Sequence, residues 1–345
     1  MSTSVSVKDI AKQLNISLST VHKALTGKPG VSEKRRKEVL ETAQRLGYTV
    51  NPVAQTLSRK DINLGIFMPS SWQEYFEGMR QGIESEIEKL KKYKVKGFFY
   101  SISADFSEAD AQNALLWLKE NAIDALIYCP SMYSLNDEFV TALKKTALPV
   151  FSAGGEAQEL DNSVNIVTDA PLAGRLAADF LRCVHGQNLK AAVFTGSLKF
   201  TSHREKAEAF SKRCESFGGK VVSVFETDDD EQKALQFMQQ AVKSDINAIY
   251  VATATSAPIC RYIEQQGLCG SFSLVCTDIF ESIKQYMKKG IVQATISQNQ
   301  HKVGSIAVRN AYDYLVEKNS YHIKETAQKD TVYVRPALML LADIE

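Results

Sequence analysis

The stretch VKDIAKQLNISLSTVHKALTGKPGVSEKRRKEVLETAQRLGY, residues 7–48, decides the architecture of the N-terminus. Ser6-Val7-Lys8-Asp9 reads as a capping box, a hydroxyl over an open amide with a carboxylate at the third helical position. Ile10, Ala11 and Leu14 then line one apolar face until Asn15-Ile16 interrupts it. Ser17 caps a second short helix with Val21, Ala24 and Leu25 inward, and residues 26–30 form a loop by their Gly and Pro content. Ser32 opens a third helix whose core face is Val39, Ala43 and Leu46, and Gly47 stops it. Three short helices with a tight turn between the first two make a helix-turn-helix unit, whose second helix enters a DNA major groove. Leu18, Ser19, His22 and Lys23 face outward on that helix, toward base edges and thymine methyls, while Thr20, Ser32 and Tyr48 suit phosphate contacts. The run Lys34-Arg35-Arg36-Lys37 adds basic surface or is simply a solvated helix face.

The charge distribution agrees with that reading. The 345 residues carry a net charge of +1, which hides a split. Residues 1–60 hold eleven Lys+Arg against four Asp+Glu, net +7, leaving thirty against thirty-six, net −6. A basic module is joined to an acidic body long enough for two further domains. No apolar run is long enough for a membrane span, and the N-terminus lacks the pattern of an export signal, so a cytoplasmic protein is expected. Six cysteines without metal-ligand spacing read as buried, reduced thiols, and five histidines give no zinc-enzyme motif. No metal or cofactor is expected.

Beyond Tyr48, Asn51 can cap and Pro52 open a short helix, Val53–Ser58, too short to hold alone in water. It orders against a paired copy and a minor groove, with Leu57 as an apolar wedge, or it is a plain linker. From Ile62 onward short apolar strands alternate with amphipathic helices in two blocks of about 100 residues, the pattern of parallel sheets covered on both faces. Neither block carries a dinucleotide or P-loop motif, and Gly154-Gly155 reads as a turn rather than a phosphate cradle. Polar and aromatic residues fall at strand ends, where open sheets of this kind bind ligands. Trp72, Tyr75 and Phe76 follow the first strand, as a ring to cover a sugar face or as core. Asp169 and Asp278 each end a strand, as hydroxyl acceptors or as helix caps. No nucleophile–base order or acid–base pair converges there, so catalysis is not expected.

Residues 7–59 closely resemble, without a gap, the DNA-binding head of the lactose-repressor family of bacterial regulators. The resemblance rests on Lys8-Asp9-Ile10-Ala11, on Ile16-Ser17-Leu18-Ser19-Thr20-Val21-His22-Lys23-Ala24-Leu25, on Val31-Ser32, on Leu46-Gly47-Tyr48, and on Asn51, Ala54 and Leu57 at the family's hinge spacing. It implies sequence readout by Leu18, Ser19 and Lys23 and insertion of Leu57 at the centre of a double-stranded operator. Thr26 replaces the usual Asn, and His22 stands where Ser is commonest.

The body is similar to the same family's two-lobed effector core, shared with periplasmic sugar-binding proteins. By that likeness residues 1–50 are the head and 51–61 the hinge helix and linker. The first lobe is 62–161 with 296–327, and the second is 162–293 with 328–345. The family's effector-binding arginine corresponds to Lys206, with Arg204 as the alternative; Thr253 stands at the family's amide or carboxylate position, Gln298 lines the cleft, and Gly304 allows close helix packing. The resemblance implies a dimeric transcriptional regulator, a repressor of a carbohydrate operon that reads a pseudo-palindrome and is controlled by a sugar-like molecule between the lobes. No C-terminal heptad repeat of the kind that tetramerises some members follows the last strands. A solute-binding protein sharing the core is the other reading, opposed by the basic first sixty residues.

Overall fold

The computed structural model describes residues 5–25, 30–46, 60–70, 73–103, 106–130, 137–157, 160, 163–253, 255–317 and 330–344. They divide into two compact units, 1–60 and 61–345.

In the first unit α1 (Val7–Leu14), α2 (Leu18–Leu25) and α3 (Glu33–Arg45) close around Ile10, Ala11, Val21, Ala24, Val39 and Ala43. Leu14, Leu25 and Leu46 pack against that core half-buried. The local chemistry sets the boundaries. Asp9 accepts from the Ser6 amide at 2.8 Å and the Ser6 hydroxyl at 2.7 Å. Asn15 turns the chain with φ 49°, the left-handed region that Asn tolerates better than most residues. Ser17 Oγ then accepts from Thr20 N at 3.0 Å, and Ser32 Oγ from Arg35 N at 3.4 Å. Part of the basic run is neutralised within α3: Arg35 pairs with Glu38 at 2.7 Å, and Arg36 lies 3.8 Å from Glu33 and donates to the Ala24 carbonyl at 3.4 Å.

The second unit holds two six-stranded sheets among the described residues. The first, in spatial order, contains β11 (Asp330–Val334), β5 (Ser163–Thr168), β4 (Val150–Ala153), β3 (Ala125–Tyr128), β1 (Ile62–Pro69) and β2 (Val95–Ile102), paired in parallel throughout. The second contains β12 (Ala337–Met339), β10 (Ala294–Ser297), β9 (Ser273–Thr277), β8 (Ala248–Val251), β6 (Lys190–Thr195) and β7 (Lys220–Glu226), with only β12 antiparallel. Parallel neighbours need crossover connections, and the helices that provide them cover both faces of each sheet. In the first lobe α4 (Gln73–Leu90) and α12 (Gln300–Glu317) lie on one face, α5 (Glu108–Glu120) and α6 (Asp137–Lys145) on the other. In the second, α7 (Ala170–His185) and α8 (Thr201–Ser216) face α9 (Glu231–Ala241), α10 (Ser256–Gln265) and α11 (Glu281–Lys288) across the sheet.

The partition between lobes differs from the sequence expectation. Residues 163–168, expected to open the second lobe, pair with β4 and β11 in the first sheet. Residues 296–297, expected in the first lobe, belong to β10 of the second. The C-terminal segment, expected wholly in the second lobe, splits at Arg335-Pro336, with β11 in the first sheet and β12 in the second. Strand alternation shows where an element begins, but sheet membership depends on distant hydrogen-bond partners. The chain crosses between lobes at 168–169, 297–299 and 334–337. Of the six free cysteines, Cys129, Cys214, Cys260 and Cys276 are buried, whereas Cys183 and Cys269 are exposed.

Helix α12 packs on α4 at backbone range. A Cβ on Gly304 would lie 2.3 Å from the Met79 carbonyl oxygen and 3.0 Å from Ile83 Cγ1. Beside this contact the buried Glu86 accepts from Lys89 Nζ at 3.1 Å, Ser305 Oγ at 3.2 Å and Arg309 Nε at 2.8 Å. Burial raises the Glu86 pKa, but the hydrogen bonds from Lys89 and Arg309 outweigh it and hold the carboxyl below its ordinary value.

Gly304→Ala is therefore expected to lower the stability of the second unit by about 1–3 kcal/mol, measured by urea unfolding of the full chain. The Glu86 contribution is full above the ordinary glutamate pKa and is lost as pH falls through the lower folded-state value. Unfolding measured from pH 7 to pH 3 should lose stability more steeply in the wild type than in Glu86→Gln.

Candidate DNA-reading face and effector cleft

The second helix of the head presents a graded surface. Leu18, 48 % exposed, stands with Ser17, Ser19, His22 and Lys23 on the outside, Thr20 is half-buried, and Ser32 is exposed at the start of α3. Val21 and Ala24 hold the opposite face in the core, so a rigid helix offers an apolar, a hydroxyl, an imidazole and an ammonium group side by side. Leu18 is not among the described residues that form or line the apolar core of the head. Tyr48, Asn51, Ala54 and Leu57, the other expected DNA contacts, lie outside the described residues.

In the second unit the strand-end residues converge where the lobes are joined. Asp278 follows β9 with φ 68°, a conformation that costs free energy in a residue with a Cβ, and is 4 % exposed. Its Oδ1 accepts from Gln298 N at 3.1 Å and its Oδ2 from Gln298 Nε2 at 2.7 Å. Lys206 Nζ, on α8 and only 3 % exposed, donates to Gln298 Oε1 at 3.4 Å. The backbone of Lys206 is brought in by Gly174 of α7, where a Cβ would lie 2.2 Å from the Lys206 carbonyl oxygen. Burial pushes the Asp278 pKa up against the opposing effects of Gln298 and Lys206. Burial likewise pushes Lys206 down against the pull of Asp278 and Asp229.

Thr253, buried after β8, donates to Asp229. Asp228 and Asp229 both take left-handed φ, 50° and 57°, which folds the loop after β7 back on itself. Burial, with the Lys206 charge, holds His203 below its ordinary value, so it is neutral at pH 7, and its buried Nδ1 has no hydrogen-bond partner among the described residues. From the first lobe Tyr75 reaches this region: burial raises its phenol pKa and the charge of Asp278 adds to the effect. Its hydroxyl lies 3.3 Å from where a Cβ on Gly154 would stand.

The expected cleft residues therefore divide. Lys206, Asp278 and Gln298 form one hydrogen-bonded set, with Thr253 tied to Asp229 beside it. Phe76 is instead first-lobe core, 6 % exposed and edge-on to Tyr75 at 5.1 Å, so the core reading of that aromatic is the one its packing supports. Asp169 caps α7 by accepting from Leu172 N at 2.8 Å. Arg204 is exposed and donates to the Leu198 carbonyl at 3.1 Å, leaving Lys206 as the cation beside Asp278. Trp72 lies outside the described residues. Asp229 and His203 escaped the sequence reading, the first because Asp228-Asp229-Asp230 looks like an ordinary polar turn. Among the described residues no group of His, Cys, Asp and Glu is placed to hold a metal ion, and no helix is long and apolar enough to cross a membrane.

The cleft and head agree with comparisons to known proteins. Residues 64–319 match the periplasmic binding protein domain family, and residues 6–51 match the lacI family of bacterial regulatory proteins. The chain is 30 % identical over 165 residues to catabolite control protein A of Priestia megaterium, covering 48 % of this chain and 47 % of that protein. It is 27 % identical over 256 residues to the HTH-type transcriptional regulator pepR1 of Lactobacillus delbrueckii subsp. lactis, covering 73 % of this chain and 74 % of that one. The first match thus spans about half the relative's length and the second about three quarters. In fold, the chain is similar to the lac repressor dimer bound to operator and the anti-inducer ONPF, with a TM-score of 0.60, 20 % identity, and coverage of 97 % of this chain and 98 % of that one. The chain therefore belongs to the periplasmic binding protein domain family over most of its length, and carries ahead of that domain a DNA-binding domain of the lacI family of bacterial regulatory proteins.

Proposed function

We propose that the protein is a sequence-specific, DNA-binding transcriptional regulator, a dimeric repressor of a carbohydrate uptake or catabolism operon controlled by a small sugar-like effector. The observation that carries this reading is the exposed face of α2, Leu18, Ser19, His22 and Lys23, held rigid by a capped three-helix core. Leu18 meets thymine methyls, Ser19, His22 and Lys23 meet base edges, and Ser17, Thr20 and Ser32 position the head on phosphates. Tyr48, Asn51, Ala54 and Leu57 complete the contacts by their place in the sequence motif. One such unit covers too few base pairs to select a genomic site, so two copies related by a twofold axis read a pseudo-palindrome. The lac repressor to which the fold is similar is itself described as a dimer on operator DNA.

The effector site is the cleft around Asp278, Lys206, Gln298 and Thr253. A buried carboxylate beside a buried ammonium suits a hydroxyl group, which donates to one and accepts from the other. Carbohydrates present several such groups on one apolar ring. Such a ligand binding between the lobes shifts the population of lobe orientations and, through the dimer, the affinity for DNA.

Footprinting on bound genomic fragments should reveal a near-palindromic site of roughly 14–20 base pairs, two half-sites about one helical turn apart. Leu18→Ala should cost about 1–3 kcal/mol of binding to that site and leave non-specific binding unchanged. Equal losses on both, or no protected site, would reject the reading. In the cleft, Asp278→Asn should weaken binding of the effector sugar at least ten-fold, read by calorimetry, because a charge-assisted acceptor becomes neutral.

A further inference from the structure

The carboxylate–ammonium pair of the cleft is already bridged by one of the chain's own side chains. The Gln298 amide donates to Asp278 Oδ2 at 2.7 Å, and its oxygen accepts from Lys206 Nζ at 3.4 Å. An amide that donates at one end and accepts at the other does what a ligand hydroxyl would do between the same two groups. Any ligand group that reaches both must take its place. The bridge is uneven, tight at the carboxylate and at the outer limit of hydrogen bonding at the ammonium, so the Lys206 end is the weak point for a competitor.

Gln298 is also the first residue of the second crossover, after β10 and before α12. Its carbonyl oxygen accepts from Thr168 Oγ1 at 2.8 Å, at the end of β5 in the first sheet. The next residue, Asn299, donates through Nδ2 to the Arg335 carbonyl at 2.6 Å, and Asp169 N donates to the Val334 carbonyl at 3.0 Å. The three crossovers are thus tied to one another, and the Gln298 side chain ties that set to Asp278 and Lys206 of the second lobe.

We propose that Gln298 is a built-in occupant of the effector site, standing where a ligand hydroxyl would bind and coupling occupancy of that site directly to the three lobe crossovers. The inference rests on the cleft being the effector site. An effector that displaces the amide removes the side-chain tie between the second crossover and the second lobe and leaves the backbone bond from Gln298 N to Asp278 Oδ1, a loosening that effector control of lobe orientation requires. Only a group that both donates and accepts replaces the amide at both Asp278 Oδ2 and Lys206 Nζ, so that neither buried atom loses the partner the amide supplies.

Hydrogen exchange of the full chain tests this without DNA or ligand. Gln298→Met keeps the length of the side chain and removes both polar ends. Peptides covering 166–170, 296–300 and 333–337 should exchange at least ten-fold faster in the variant, while β6 and β8 of the second sheet keep wild-type rates. Crossover rates within two-fold of wild type would overturn the proposal. So would a uniform acceleration across both lobes, which would make Gln298 an ordinary stabilising residue. If Gln298→Met does not fold, Gln298→Asn, too short to span Asp278 and Lys206, is read by the same criteria. Because no DNA or ligand enters the measurement, its outcome is independent of the footprinting that tests the regulator reading.

Discussion

A buried carboxylate needs donors, and Asp278 takes two of them from a single residue of a lobe crossover. Its own backbone is held left-handed at the end of β9. The arrangement costs conformational free energy and desolvation, and it persists because Gln298, Lys206 and the strand pairing around them over-determine it. Much of the second unit can be understood from this point. The strands β9 and β10 must be adjacent for Gln298 to meet Asp278, α8 must press against α7 at Gly174 to bring Lys206 in, and β5 must end in the first sheet for Thr168 to reach the Gln298 carbonyl.

The two units solve different problems. The head is small, and its core of short aliphatic side chains is supported by caps at helix ends, where Asp9, Ser17 and Ser32 satisfy amides that a short helix would otherwise leave open. Its outer face is then free to carry information. The body buries far more apolar surface and puts its polar chemistry at the joint between lobes. There a low dielectric strengthens each hydrogen bond and makes each unpaired group expensive. The charges match this division: the basic excess lies on the head, and the acidic excess lies on the body.

How much could be read in advance follows the range of the interactions. The capping box at Ser6, the break at Asn15 and the stop of the third helix are set within four or five residues, and all appear in the string of letters. Short apolar runs alternating with amphipathic stretches announced that strands and helices alternate through the body. Sheet membership was not announced: Ser163–Thr168 reads the same whether it starts one lobe or finishes the other, and only its pairing with β4 and β11 decides. The cleft was legible in part. Asp278 and Gln298 were expected there and meet there, whereas Arg204 and Phe76 point to other partners, and Asp229 enters because two consecutive left-handed residues turn its carboxylate toward Thr253.

The sequence by itself determined the helix-turn-helix head, the outward residues of its second helix, the alternating α/β body and the charge asymmetry between them, because periodicity, capping and net charge are properties of neighbouring residues. Tertiary structure alone decided where the chain passes from lobe to lobe, which of two neighbouring cations joins the cleft, and that Gln298 stands between Asp278 and Lys206. Those outcomes depend on contacts between residues about 20 to 130 positions apart, which become neighbours only when both sheets have formed.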